Sequence, residues 1–522
     1  MLRINRRWLL GLAALPWTAA LAGAQTLTMG VGAPVSSLDP HYHLLRSNNE
    51  VGQMLFDSLV VTDARAALRP GLAESWRALS DTVWEFRLRE NVRFHDGTPL
   101  TTDDIAYTFE RIPQMRGPGA SFSTMIRPVQ RLEIVDDRTV RMHTAGPAPL
   151  LPTYLSQVMI VSRRLHAEAT TADFNSGKSA IGTGPFRLVS HANGDRIVME
   201  RNDQYWGPKP HWAHLTYRMI TNDAARTAAL LSGDVDIIDQ ISTSDLERLR
   251  RDSRFHVAET TSLRVMYITL DGTRQPPVPL LTATGDRNPL ADPRVRQALD
   301  LAIDRRQLVE RVMEGAALAT AQFMPPDAYS YIPDRPVPAA DAAAARRLLT
   351  EAGYPQGFQL TLMGSNDRYM NDARVVQAVG QMWTRIGVRT TIEAQPYATF
   401  IGRATRREAP AALLTWGNST GEVSVLLNSV LRTPDRDRGH GAANRLLYSN
   451  PAMDTLVAQA EVEMDDAKRE DLLRRASTVA LDDRMLVPLY LQNALWAMRS
   501  DLTYEARMDE RNNPTAVTPA AR

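Results

Sequence analysis

Apolar and polar positions along the chain follow two different rhythms. Over roughly the first 200 residues, apolar side chains recur mostly at every second position, as half-buried strands require. Trp84, Phe86 and Leu88 alternate with Glu85 and Arg87, so 83–88 reads as a strand. Segments 27–32, 129–135 and 139–143 read the same way, and 186–189 with 197–200 reads as a hairpin around Asn193-Gly194. Thr101-Thr102-Asp103-Asp104 caps a helix running to about Arg111. From about residue 215 strands and helices interleave. Strands are predicted at 214–220, 235–238, 265–270, 359–363, 388–394, 411–416 and 487–491. Helices are predicted at 223–231, 242–250, 293–304, 339–352, 372–386, 397–406, 422–431, 451–464 and 466–482. Such interleaving predicts α/β lobes in which helices cover sheet faces. Residues 271–290, rich in Pro and Gly, mark a boundary, and the polar tail from Arg507 reads as loosely held.

Composition adds mostly exclusions. With 522 residues, 44% hydrophobic and 23% charged, the chain is globular and of several domain-sized units. Its net charge of +1 gives no overall pull toward nucleic acid. Only Lys178, Lys209 and Lys468 are lysines, so nearly all 60 basic residues are arginine. Cysteine is absent, which excludes disulfides, thiolate metal sites, a thiol nucleophile and a lipoprotein anchor.

The first 24 residues read as an address. Arg3, Arg6 and Arg7 precede an uncharged run from Trp8 to Leu21, and Ala22-Gly23-Ala24 offers a cleavage site before Gln25. Arg6-Arg7 also resembles a twin-arginine signal, so the export route is Sec or twin-arginine. The expected location is the periplasm.

Few motifs carry chemistry. Gly177-Lys178-Ser179 imitates the end of a phosphate loop but lacks its first glycine, with Ala172 there instead. Gly417-Asn418-Ser419-Thr420-Gly421 matches the G-x-S-x-G nucleophile pattern between a predicted strand and helix. A secreted serine hydrolase using Ser419 is therefore the alternative reading, although only His440 follows it. His41 with His43, and His211 with His214, offer paired nitrogens to a metal, without a third ligand. The aromatics Tyr42, Tyr205, Trp206, Tyr369, Tyr397, Trp416 and Tyr490 lie near predicted loops or strand ends, where they suit cleft walls.

A series of blocks gives the chain a recognisable character. Leu68-Arg69-Pro70-Gly71-Leu72-Ala73-Glu74-Ser75-Trp76 follows Ser37-Leu38-Asp39-Pro40. Then come Phe94-His95-Asp96-Gly97, Gly182-Thr183-Gly184-Pro185-Phe186, Arg201-Asn202-Asp203-Gln204-Tyr205-Trp206, Arg294-Val295-Arg296-Gln297-Ala298-Leu299 and Glu351-Ala352-Gly353-Tyr354-Pro355. In number, order and spacing these resemble the extracellular solute-binding proteins of family 5, the dipeptide, oligopeptide and nickel binding class of ABC importers. The resemblance implies an α/β fold of the type II periplasmic-binding-protein kind, with two lobes, a hinge and an extra subdomain. It implies lobe I from 25–46, 181–270 and 486–522, subdomain II from 47–180, and lobe III from 271–485, with hinges near 180–186, 270 and 486. It further implies a non-enzymatic monomer without cofactor, whose partners are a small or peptide-like ligand and an ABC permease with its ATPase subunits. A nickel or metal-chelate binder is the variant within the family.

Site residues carry over one at a time. Peptide-binding members have an aspartate at the position of Ser419, which pairs with the ligand ammonium; here only a hydroxyl stands there. The aromatic at Tyr397 is kept, a cation near Leu413 is not, and Arg368-Tyr369 resembles the pair that meets the ligand's anionic end in dipeptide binders. The resemblance thus implies a site of Arg368, Tyr369, Tyr397, Trp416, Asn418, Ser419 and Glu422, with Glu422 the nearest replacement acid. A neutral or anionic ligand, or a peptide with a blocked amine, is expected.

Overall fold

The computed structural model describes residues 25–118, 121–273 and 287–521, so the leader reading lies outside the described residues. Among these, no helix is long and apolar enough to cross a membrane.

The expected mixture of strands and helices is present, and its backbone is one sheet of eleven strands among the described residues. In spatial order its path is Val388–Gln395, Phe358–Ser365, Ala411–Gly417, Phe255–Leu270, Leu486–Arg499, Ile237–Asp239, Thr26–Val31, His214–Met219, Arg196–Arg201 and Phe186–Ala192. Ala317–Ala319 pairs beside it on Leu486–Arg499. Two strands are far longer than the sequence pattern implies. Phe255–Leu270 and Leu486–Arg499 run antiparallel through the whole sheet, with an irregularity between Thr261 and Val265. Their polar middles, Glu259 to Arg264 and Gln492-Asn493, interrupt the apolar alternation that marks a strand.

Those polar middles separate distinct cores. Ala258, Trp496 and Met498 pack with Leu27, Met29, Phe186, Leu215 and Tyr217. Met266, Ile268, Leu270, Leu489 and Tyr490 instead pack with Leu360, Leu362, Val376 and Trp383. On the other face, Val265, Tyr267 and Leu491 join Phe400, Leu427 and Leu473. The cores therefore change over near residues 262–264 and 491–493.

A four-stranded antiparallel sheet, Ala73–Ser80, Val83–Leu88, Thr139–Thr144 and Val129–Ile134, is separate and has its own core around Phe86, Leu88, Val140 and Met142. The helix Thr102–Arg111 covers it, started by a capping box in which Asp104 accepts from the Thr101 backbone at 2.8 Å. Local signals place other helices. Asn222 accepts from the Ala225 N–H at 2.9 Å to start Asp223–Ser232, and Gly233, in left-handed backbone, ends it.

The tail departs from expectation. Far from loose, residues 507–512 are stitched into the interior. Arg507, Asp509, Arg511 and Asn512 are all buried. Met508 N donates to Ala64 O at 2.8 Å, and Met508 O accepts from Leu263 N at 2.8 Å. Asn512 Nδ2 donates to Glu50, Asp239 and the Tyr217 hydroxyl. The charged residues that read as solvated partner one another instead: Arg507 donates to both oxygens of Asp509 at 2.9 and 2.6 Å.

Candidate functional site

Strands Phe358–Ser365 and Ala411–Gly417 are parallel, so the loops leaving their C-terminal ends emerge on the same side. In α/β sheets this is where ligands bind. The first loop carries Arg368 and Tyr369, and the second carries Asn418, Ser419 and Glu422.

Asp372, the first residue of helix Asp372–Arg385, shapes the first loop. One carboxylate oxygen accepts from Ser365 Oγ at 2.6 Å and from the N–H groups of Arg368 and Tyr369 at 3.2 and 3.1 Å. Asp367 Oδ1 takes the Tyr397 N–H at 2.7 Å, fixing the start of helix Tyr397–Thr405. The result brings three expected residues together. The Tyr369 and Tyr397 rings meet edge-on at 6.0 Å, and the Arg368 guanidinium lies 5.3 Å from the Tyr397 ring centre. Burial pushes the Tyr369 hydroxyl up to about 12. Arg368 itself is exposed and forms no ion pair among the described residues. Trp416 packs on the same core as Tyr397, with a buried Nε1 that has no partner among the described residues.

The second loop begins opposite the long strand, where Gly417 is paired with Arg264. Asn418 is buried; its N–H donates to Leu263 O at 2.9 Å, while its Oδ1 is buried without a partner among the described residues. Ser419 is exposed in a turn that ends on Gly421, whose φ of +78° favours glycine. A Cβ at Gly421 would stand 3.3 Å from Ala66 O, so this loop rests against the 63–66 turn. No side-chain hydrogen bond joins Ser419 to a histidine or carboxylate among the described residues; His440 sits in a backbone bridge with Asp435. The helix expected at 422–431 is a short α turn, Ser424–Leu426, running into a π turn, Leu427–Leu431.

Glu422 is committed elsewhere. It is buried, and its carboxylate accepts two hydrogen bonds from Arg469, one of them at 2.6 Å, and a third from Ser424 Oγ. Arg469 is buried too and lies 5.8 Å over the Tyr329 ring.

Sequence reasoning missed Arg264, which projects from the polar middle of Phe255–Leu270. Glu510 Oε1 accepts from its Nε at 2.9 Å and Oε2 from its Nη2 at 2.8 Å. The same carboxylate takes Arg46 Nη1 at 2.9 Å and Ser262 Oγ at 3.0 Å. Burial alone would raise the Glu510 carboxyl, but Arg264 and Arg46 outweigh it and hold the group down at about 2. The only sequence signal was the break in alternation itself.

Most of the other candidates are engaged away from these loops. His41 is buried, with Nε2 on Met159 O and Nδ1 on Arg111, and burial pushes it down to about 4. His211 packs edge-on against Trp212 at 4.8 Å, and His214 lies exposed on its strand. Among the described residues no group of three or more His, Asp or Glu side chains is placed to hold a metal ion. Lys178 pairs with Asp173 at 2.9 Å. Tyr205 and Trp206 surround Asp57 rather than the loops, and Tyr490 is in the core.

Comparisons with known proteins bear on the family and the fold. The profile of the bacterial extracellular solute-binding proteins, family 5 Middle, matches residues 67–437. The periplasmic oligopeptide-binding protein OppA of Salmonella typhimurium is 27% identical over 515 residues, covering 91% of this chain and 88% of that protein. The glutathione-binding protein GsiB of Pectobacterium atrosepticum is 26% identical, with 96% of each chain covered. The solved structure of HbpA2 from Haemophilus parasuis has a TM-score of 0.81 at 22% identity, over 95% of this chain and 100% of that one. The fold is that of type II periplasmic binding proteins, and the chain belongs to the bacterial extracellular solute-binding proteins of family 5.

Proposed function

We propose that this protein captures a small polar or peptide-like solute in the periplasm and delivers it to an ABC permease, without chemistry of its own. The relatives named for oligopeptide and glutathione binding support the class. The leader at 1–24 would be removed on export, and the mature protein would act as a monomer. Subdomain II would be the unit around the four-stranded sheet. The two lobes would close on the ligand about the polar middles of the long strands, near 262–264 and 491–493, where the cores change over. Arg368, Tyr369, Tyr397, Trp416, Asn418 and Ser419 would line the cleft.

One observation carries the ligand class. Glu422, the nearest candidate to replace the missing aspartate, is buried and neutralised by Arg469. A buried ligand ammonium without a carboxylate costs several kcal/mol, on the order of the penalty for any unpaired buried charge. The preferred solute is therefore neutral or anionic, or a peptide with a blocked amine. Calorimetry with paired free-amine and N-acetylated di- and tripeptides tests this. Tighter binding of the acetylated members is expected; micromolar binding of ordinary free-amine peptides would sink it. Small-angle scattering with a bound member should show a smaller radius than without.

A further inference from the structure

Arg264 is the part of the cleft that neither the sequence motifs nor the family blocks pointed to. It stands where the two long strands cross between cores, directly opposite Gly417. Its guanidinium lies over that glycine: a Cβ at 417 would be 3.3 Å from Nη2 and 3.6 Å from Nη1. Glu510 holds Nε and Nη2 from one side, and Nη1 makes no hydrogen bond among the described residues. The side chain is 24% exposed, so it is fixed without being sealed off. Arg264 and Arg368 both lie close enough to Tyr369 to act on its hydroxyl. The nearby acids are occupied: Glu510 is shared with Arg46, Asp372 caps the first loop, and Asp367 holds the Tyr397 N–H. Arg368 lies 5.9 Å from the Tyr369 ring centre, and both guanidiniums keep donors to spare while these three acids are committed.

We infer that Arg264 is a specificity-determining residue that takes a carboxylate of the solute through its open Nη1 edge, and that Glu510 is its positioning residue. The inference rests on the solute-binding reading and narrows its ligand class to anions. Gly417 keeps the approach clear, since any side chain there would press on the guanidinium. Glu510 fixes the fork in one orientation, so little conformational entropy is lost when a carboxylate docks.

The test uses N-acetylated di- and tripeptides, each as the free acid and as the C-terminal amide, titrated into the full mature chain. In wild type the acids should bind about tenfold or more tightly than their amides. Arg264→Gln should erase that difference, and Arg264→Lys should restore part of it. Gly417→Ala keeps every charge and should reduce the acid preference several-fold, which covers the case in which Arg264→Gln does not melt cooperatively. Glu510→Gln should weaken acids more than amides. Equal binding of acids and amides by wild type, or an unchanged difference in folded Arg264→Gln, overturns the inference. Solute released from purified wild type gives an independent readout by mass spectrometry. An anionic solute depleted in Gly417→Ala supports the inference, and a solute without an anionic group overturns it. Failure of the binding reading itself would look different, because wild type and variants alike would release nothing and bind no acid or amide, which overturns both.

Discussion

Two carboxylates, Asp57 buried and Glu510 largely shielded from solvent, stand where the chain passes between units, and they are held in opposite ways. Glu510, at the crossing of the long strands, is clasped by two guanidiniums and held down at about 2. Asp57, where the four-stranded unit joins the main sheet, meets only neutral donors: Thr183 Oγ1 at 2.8 Å, Trp206 Nε1 at 2.9 Å and Tyr205 OH at 3.1 Å. Burial raises the Asp57 carboxyl to about 6, and those three hydrogen bonds offset it only in part. At Asp57 neutral donors and the more distant Arg89 offset burial only in part, whereas at Glu510 two guanidiniums in direct contact outweigh it. The crossing of the long strands should therefore be insensitive to pH over the range in which the other one titrates.

The largest effect expected concerns a third carboxylate of the Glu510 kind. Arg469→Leu leaves Glu422 buried and unpaired, and should cost about 3–5 kcal/mol in urea unfolding. A loss below about 1 kcal/mol would mean that the cation matters little, and the comparison would collapse. Glu510→Gln comes next, at about 3 kcal/mol, because Arg46 and Arg264 lose their shared partner while staying mostly buried.

The third expectation is a pH profile. In the fold Asp57 binds its proton up to about pH 6, while the unfolded chain releases it near 3.8. Stability from this group is thus fully present below 3.8 and is lost as pH rises through 6. Measured against Asp57→Asn, wild type should gain about 2–3 kcal/mol between pH 7 and pH 4. The comparison at each pH cancels the contributions of His41, His95 and His166, which burial pushes down to about 4 and which lose stability over the same window. Glu510 has the opposite sign, since its contribution is lost only as pH falls from 4.5 through about 2. A flat difference profile for Asp57 would break the contrast. The smallest effect is Tyr205→Phe, which removes the longest of the three donors. It should cost about 1 kcal/mol at pH 7 and move the Asp57 transition upward.

Much of the fold was legible in the sequence. The strand Val83–Leu88 and the helices Asp223–Ser232, Asp372–Arg385, Tyr397–Thr405 and Asp466–Asp482 lie within a residue or so of where periodicity and capping residues put them. Each packs one apolar face on one core, so its pattern is simple. The long strands were read at less than half their length, because a strand that passes from one core to another carries polar residues at the change. The tail was misread for a related reason: Arg507, Asp509 and Arg511 look like solvated residues until their partners, distant in sequence, are known. At the site, Tyr369, Tyr397 and Arg368 cluster in the structure as the family resemblance grouped them. Arg264 showed only as a break in alternation and the Glu422–Arg469 pair not at all, because each depends on contacts between residues 47 or more positions apart.

Leu486–Arg499 lies in the middle of the main sheet, between Phe255–Leu270 and Ile237–Asp239, yet it comes near the end of the chain. During synthesis the ribosome delivers both flanking parts of the sheet long before the strand that joins them. Until about residue 499 has emerged, the nascent chain holds two sheet fragments with open edges, and the stitching residues 507–512 are still to come. The four-stranded unit, whose core lies within residues 59–160, can close early, but the main sheet cannot be completed until this late strand is made. A main sheet that stays open until residues 486–499 are made keeps that part of the chain threadable, and exposed to chaperones, well after the four-stranded unit has been synthesised.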